Sequence, residues 1–500
     1  MISSLPHVPH AAEAVDPPPA VAPEPTAAAP SVWRQLARGR IPVPLFCVLA
    51  LTAVTLLPPM AGAARLVPLL FPTVAVATAC VLYARHPAHY VGFTWWIWFL
   101  APAVRRIADY HTGWTPVSPI MVAPYLVTAV AALTLVRRGS VVATSHLVIF
   151  ALPVTGILYA YVIGAGTVGA APATFGLLTW IVPIIFGLHL AITWKSYPLW
   201  REVTESTFIF GAALLGIYGI IQYVVVPPWD AFWMQNADMS SIGWPLPYQV
   251  RVFGTLNAPG VYAMVLMAGL LLVLSRSRLS LHLATLPGWL GLLLSQVRSA
   301  WLGYALGLVL ILCRLRLAQT LRLLGVAALV VGLLVPFVRV DAIAQTALPR
   351  LMSLTDVGSD HSFRVRLQLY RDFFHSTAGD NIAGSGIGST NLATKLSNNG
   401  KLGDTGVIDS GIIEVLYVFG WVGSLLYLGG VALALLAVRS AAATRADPFV
   451  AAAAAIAVGC FVQIVFFNPF GGTVGMLFWS FVGLALAGQR YRAKAARMAA

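Results

Sequence analysis

The chain has 500 residues, 59% of them hydrophobic and only 10% charged, with a mean hydropathy of +0.83. Soluble domains carry roughly 25% charged residues, so a water-facing surface over the whole chain is excluded. The formal net charge of +14 would point to nucleic acid in a soluble protein; here the basic residues follow a membrane topology, and no nucleic-acid partner is expected.

The apolar residues fall in long uninterrupted blocks. About 20 such residues span a bilayer as a helix, and in lipid every backbone polar group must be satisfied within the segment. A β-barrel needs short segments of alternating polarity, which are missing. The chain therefore reads as an all-α polytopic membrane protein. Residues 1–40 are rich in Ala and Pro without pattern and read as a disordered cytoplasmic tail. No basic region runs directly into a short apolar core, so this is not a cleaved signal peptide.

About fourteen spans are expected within a transmembrane domain at 41–488. They fall near 43–61, 66–84, 88–104, 117–136, 142–163, 172–193, 205–226, 258–275, 281–295, 299–313, 321–338, 411–438, 449–467 and 473–488. The four cysteines, Cys47, Cys80, Cys313 and Cys460, lie in or at the ends of these blocks. They suggest neither a disulfide framework nor a zinc site.

Cytoplasmic turns of membrane proteins are rich in Lys and Arg. With the N-terminus inside, alternate turns carry Arg85, Arg137 with Arg138, Lys195 with Arg201, Arg276 with Arg278, then Arg314, Arg316 and Arg322, and Arg439 with Arg445. A basic tail at 489–500 follows. Both termini are therefore placed in the cytoplasm. Arg105 with Arg106 is the main exception among the outer turns.

Two outer segments are long, 227–257 and 339–410, and long loops in compact proteins tend to be functional. The second carries Arg339, Arg350, Arg364, Arg366, Arg371, Lys395 and Lys401. Within it His361, Arg364, Gln368, Arg371 and His375 recur at steps of three and four and share one helical face. Phe363, Leu367, Tyr370 and Phe374 share another, and Asp360 is placed to cap the helix. A stripe of Arg and His suits phosphate or pyrophosphate, because Arg offers a fixed fork of donors. The same pattern also suits a helix lying on anionic headgroups.

The run Gly384-Ser385-Gly386-Ile387-Gly388-Ser389 follows. Its glycines allow close backbone approach to a ligand, or simply a turn. Asp404 and Asp409 precede the span that contains Glu414. A carboxylate at that depth is costly unless it serves a function or reaches the interface or an outer Arg.

Four segments together resemble the superfamily of O-antigen ligases and Wzy-type polysaccharide polymerases. They are Arg251-Val-Phe-Gly254-Thr255-Leu-Asn257-Ala-Pro259-Gly260; Ser295-Gln-Val-Arg298-Ser299-Ala300-Trp301-Leu302; Arg366-Leu-Gln-Leu-Tyr370 with Gly384-Ser-Gly386; and Asp409-Ser410-Gly411 through Phe419-Gly420-Trp421-Val422-Gly423. They follow the family's order over about 200–440. Ser295 and Arg298 are two residues further apart than in the family pattern, and Asp409-Ser410 stands where ligases typically carry His-Asn.

The resemblance implies a GT-C-like enzyme in the inner (cytoplasmic) membrane. It would join undecaprenyl-pyrophosphate-linked oligosaccharides at the outer face without metal or other cofactor. It leaves room for a chain-length regulator and a flippase as partners, besides membrane lipid. The departure at Asp409-Ser410 favours a polymerase over a ligase; a flippase is the rival class. Arg251 and Arg366 are the expected catalytic cations, with Arg364 and Arg371 in support. Asp409 is the expected base, with an N-cap as its other reading, and His361 and His375 are the alternative bases. Arg298, Gly384 and Gly386 complete the expected substrate contacts.

Overall fold

The computed structural model describes residues 43–60, 66–138, 144–237, 239–276, 278–313, 361–376, 381–398, 400–402, 408–443 and 447–499, together with residues 321, 325, 332 and 379. The first tail, most of the segment expected to span at 321–338, the loop residues 339–360 with Asp360, and Asp404 lie outside the described residues.

The first helices are α1 (Val43–Met60), α2 (Val67–Arg85) and α3 (Pro87–Thr112). The next apolar block is broken into two short helices, α4 (Ala123–Ala129) and α5 (Leu133–Arg138), joined through 3-10 turns. Then come α6 (Thr144–Thr167), α7 (Ala170–Ile192) and α8 (Tyr197–Val225). A short α9 (Pro228–Asn236) precedes α10 (Pro259–Val273), α11 (Leu279–Ala284), α12 (Leu286–Leu294) and α13 (Arg298–Leu312). The last four are α14 (His361–Ser376), α15 (Gly411–Ala443), α16 (Pro448–Phe461) and α17 (Gly472–Ala499).

Eight segments are long and apolar enough to cross a membrane, and shorter apolar helices accompany them over 43–53, 259–273, 279–294 and 298–312. This is an all-helical, multi-pass membrane protein. Among the described residues the β-pairing is confined to one isolated antiparallel bridge between Gly243 and Val250. The last helix runs on to Ala499, through the basic residues at 489–500.

The helices pack through small residues, as membrane helices do in the absence of a hydrophobic drive between them. A Cβ on Gly187 of α7 or Gly483 of α17 would strike the other helix's backbone, so these two helices touch along their axes. Aromatic edges fill the wider gaps: Trp95 of α3 meets Phe208 of α8 at 4.7 Å, and Phe208 meets Phe481 of α17 at 5.4 Å.

One end of the bundle is tied by buried carboxylates. Glu205 takes an ion pair from Arg201 at 3.4 Å, one from Arg276, and a hydrogen bond from Ser275 at 3.0 Å. Asp447 caps α16 by accepting from the Phe449 N–H, and it also binds Tyr197, Arg201 and Arg492 at 2.6, 3.2 and 2.7 Å. Arg201 of α8, Arg276 just after α10 and Arg492 of α17 are far apart in sequence, and the two buried carboxylates bring them to one end of the bundle.

α15 is interrupted at Gly420, whose φ of +62° lies in the left-handed region. The helix bonds lost at this break are made up by the glycine-rich run. Ser385 and Gly386 donate their N–H groups to the carbonyls of Tyr417 and Val418, at 2.8 and 3.0 Å, and the Trp421 N–H reaches the Ile382 carbonyl at 3.0 Å. The Ile387 N–H bonds to Ala160 O of α6 at 2.9 Å. Residues 381–388 thus form an extended insert lodged between α6, α7 and the break in α15. Unpaired backbone groups are not tolerated inside a membrane protein, and the insert satisfies them.

Candidate active site

Residues 251–257 are held from behind by a buried network. Arg106, on α3, is fully buried and pairs with Asp230 of α9 at 2.8 Å. Its guanidinium also donates to the carbonyls of Gly254, at 2.7 Å, and Leu256, and to Asn257 Oδ1 at 3.3 Å, and it lies over the Phe253 ring. Gln222 completes the frame. Its amide N–H donates to Asp230 at 2.7 Å, while its carbonyl accepts from the N–H groups of Phe253 and Gly254 at 3.0 and 2.9 Å. Thr255 donates to Phe99 O at 2.6 Å. Arg106 therefore departs from the charge alternation because the fold consumes it.

The half-buried Arg251 is engaged in carbonyl contacts. Its guanidinium donates to Ser295 O at 2.9 Å, Gln296 O at 3.3 Å and Ser241 O at 3.3 Å. This fastens the loop to the turn before α13, where Gln296 sits at φ +55°. Arg298 is the first residue of α13 and is half-buried. Next to it, the Ser299 carbonyl accepts from Gln463 Nε2 at 3.0 Å, and Gln463 begins the corner that leads to Phe466.

α14 packs on the entry of α15. Leu369, Tyr370 and Phe373 meet Ile408, Ile412, Ile413 and Leu416. The packed face is therefore rotated from the expected Phe363–Leu367–Tyr370–Phe374 stripe: Leu367 and Phe374 are left exposed. Arg364, Arg371 and His375 also face outward, while Arg366 is on the packed side. The Arg366 guanidinium lies 5.5 Å over the Phe466 ring, and its Nε is buried without an acceptor among the described residues. The side chain of His361 lies outside the described residues.

Ser410, rather than Asp409, caps α15. Its Oγ accepts from the Ile413 N–H at 3.3 Å and is hydrogen-bonded to the Tyr370 hydroxyl at 2.7 Å. Asp409 sits just outside the cap and is exposed. One turn inward, Glu414 is buried at 3% exposure and accepts from Asn391 Nδ2 at 2.7 Å, Asn468 Nδ2 at 3.1 Å and Thr390 Oγ1 at 3.5 Å. These described partners are neutral amides and a hydroxyl. Glu414 thus binds three segments together: the start of α15, the 390–391 turn and the 466–468 corner.

Gly384 and Gly386 lie within the insert, at φ +88° and +84°. A Cβ on Gly384 would meet the α15 backbone at 418–420, and one on Gly386 the α6 backbone at Gly164. Their close approach is to the protein's own chain.

The four family-like segments join into one assembly. Arg251 links the first to the second, the Ser299–Gln463 bond carries the second to the 466 corner, and Phe466 meets Arg366 of the third. The insert and Ser410 connect the third to the fourth. Arg106, Asp230, Gln222, Phe466 and Asn468 were not singled out from sequence as site residues. Of these only Arg106 left a signal, as the misplaced charge. Among the described residues no group of three or more His, Cys, Asp and Glu side chains is placed to share a metal ion.

The chain matches no curated protein. Residues 283–428, which include the Arg298 turn, α14, the insert and the entry and break of α15, match the family described as O-Antigen ligase. Over that stretch, under a third of its length, the chain is similar to a family of polysaccharide biosynthesis of the O-antigen ligase type.

Proposed function

We propose that the protein is a polymerase. It joins oligosaccharide repeat units carried on undecaprenyl pyrophosphate into exopolysaccharide or O-antigen, at the outer face of the cytoplasmic membrane. In this reading the end tied by Glu205 and Asp447 faces the cytoplasm and the α14–α15 junction faces outward. The observation that carries the reading is Arg366: a guanidinium on the packed face of a loop helix, inside the family-matched stretch, with a buried Nε that has no acceptor among the described residues. Buried donors of this kind call for a partner, and Arg matches phosphate oxygens.

The reaction moves a sugar. An acceptor hydroxyl attacks the anomeric carbon of the donor, the bond from that carbon to the pyrophosphate oxygen breaks, and the lipid pyrophosphate leaves with the bonding electrons. A fixed cation at the leaving oxygen stabilises the transition state more than the ground state; this is the role of Arg366. The acceptor proton goes to Asp409, an exposed carboxylate beside the Ser410 cap. His375 faces the opposite side of α14 from Arg366, which favours Asp409 as base. Arg251 holds the turn that presents Arg298 to the lipid phosphate. Asp409-Ser410 in place of His-Asn supports polymerase over ligase.

The test replaces the chromosomal gene with wild type, Arg251→Ala or Arg366→Ala at matched membrane levels and sizes surface and secreted polysaccharide. Single repeat units left on lipid, against long chains in wild type, are the expected result. Long chains made but stranded on undecaprenyl, with none on lipid A–core, would identify a ligase. Lipid-linked units accumulating at the cytoplasmic face would identify a transporter and end the enzyme reading.

A further inference from the structure

α14 has two exposed ridges, and neither is used by the site. Leu367 and Phe374 are seven residues apart on one flank, and both are large apolar side chains left open, at 41% and 47% exposure. Arg364 and Arg371, also seven apart, form the next ridge around the helix, followed by Gln368 and His375; all four are exposed. Asp372 lies beyond them, on the far side from the apolar ridge. An apolar ridge beside a cationic one is the arrangement of a helix at a membrane interface, with the apolar side chains dipping in and the Arg stems reaching headgroups.

The position of α14 points to the same partner. It packs on residues 408–417, the entry of α15, and α15 is one of the segments long and apolar enough to cross a membrane. Just past that entry α15 opens an apolar stripe of its own: Trp421, Val422, Leu425 and Leu436 are all exposed, and Ile382 of the insert stands exposed beside Trp421. Trp is the residue of bilayer interfaces. α14 thus packs on α15 a turn or so before this stripe begins.

We propose that the outer face of α14 is a docking surface for anionic phospholipid. Leu367 and Phe374 enter the acyl boundary, and Arg364 and Arg371 bind headgroup phosphates. The stripe of Arg364, Arg371 and His375 then belongs to the membrane, and Arg366 alone of the α14 arginines faces the site. This holds whichever sugar-transfer reaction the site performs.

The test is hydrogen exchange of the α14 backbone in the full-length protein. The protein is reconstituted either in phosphatidylcholine vesicles or in vesicles with about 30% phosphatidylglycerol. Two Arg at an anionic surface should slow exchange over 364–376 about tenfold in the anionic vesicles. The Arg364→Gln/Arg371→Gln variant should return it to the neutral-vesicle rate. Equal exchange in both vesicles overturns the proposal. So does slowing by inorganic pyrophosphate in neutral vesicles that the same double variant removes, since the ridge would then bind a phosphate group and not the bilayer. Leu367→Ser/Phe374→Ser supplies an independent reading: it should weaken protection in both vesicles, and unchanged protection also counts against the proposal.

Discussion

Arg106 and Asp230 meet at 2.8 Å with neither side chain exposed, although they come from different helices. The carbonyls of Gly254 and Leu256 also converge on the Arg106 guanidinium. The pair fixes the course of the 253–257 backbone more than it adds stability, since a buried ion pair can do little better than break even against apolar residues of the same size. Breaking it is another matter. Arg106→Ala strands the Asp230 carboxylate and should destabilise the protein by about 3–5 kcal/mol. The thermal midpoint in detergent should fall sharply, while Asp230→Asn, which keeps the carbonyl contacts of Arg106, should do less. An unshifted midpoint for Arg106→Ala would refute this role.

Arg366 should matter to rate and hardly to folding. Removing a preorganised donor to developing negative charge typically costs about 10²–10³ in rate. Arg366→Ala is expected to lose polymer formation by that factor, at normal membrane levels. Arg366→Lys should recover only part of it, because an ammonium lacks the planar fork. The measurement is polysaccharide formed per unit of membrane protein. Full activity in the Lys variant would show that a point charge suffices.

Glu414 holds two amides and a hydroxyl from separate segments. Glu414→Ala leaves those donors buried without their acceptor, at a cost of about 1–3 kcal/mol. Glu414→Gln keeps one carbonyl oxygen and should lose less. Denaturation midpoints of the two variants, compared at one detergent concentration, rank these costs; equal midpoints would mean that the donors find other acceptors.

The insert glycines separate by position. Gly386→Ala places a methyl against the Gly164 backbone, and Gly384→Ala against the break in α15, each at a positive φ. Both variants should fail to yield a monodisperse protein. Gly379→Ala, ahead of the insert, meets nothing within 4 Å among the described residues and should be tolerated. Size-exclusion profiles of the three variants decide it, and a normal profile for Gly386→Ala would show that the insert can shift.

The helices were legible because an apolar run of membrane length has few alternatives in lipid. The amphipathic nature of α14 was legible too, but not which face turns inward. The i, i+3, i+4 pattern drew attention to Arg364, Arg371 and His375, whereas the packed face is chosen by Leu369, Tyr370 and Phe373 against α15. The partner of Arg366, Phe466, is 100 positions further along the chain. At the α15 entry two capping residues stand side by side, and only the Tyr370–Ser410 bond shows why Ser410 takes the cap and Asp409 stays outside. The glycine run permitted close approach without naming what approaches. Its partners, α6 and the α15 break, lie outside the run and carry no matching signal in sequence.

The way residues 381–388 complete the broken α15 also bears on autonomy. The family-matched stretch runs from 283 to 428, yet the Ile387 N–H is satisfied by Ala160 and the Ser385 carbonyl by Thr167, both in α6. A fragment cut at the family boundaries would keep three of the four motifs and still leave these groups bare. The first two hundred residues, which resemble the family only in being hydrophobic spans, serve as the mould in which the recognisable part is cast, and the two must be inserted together.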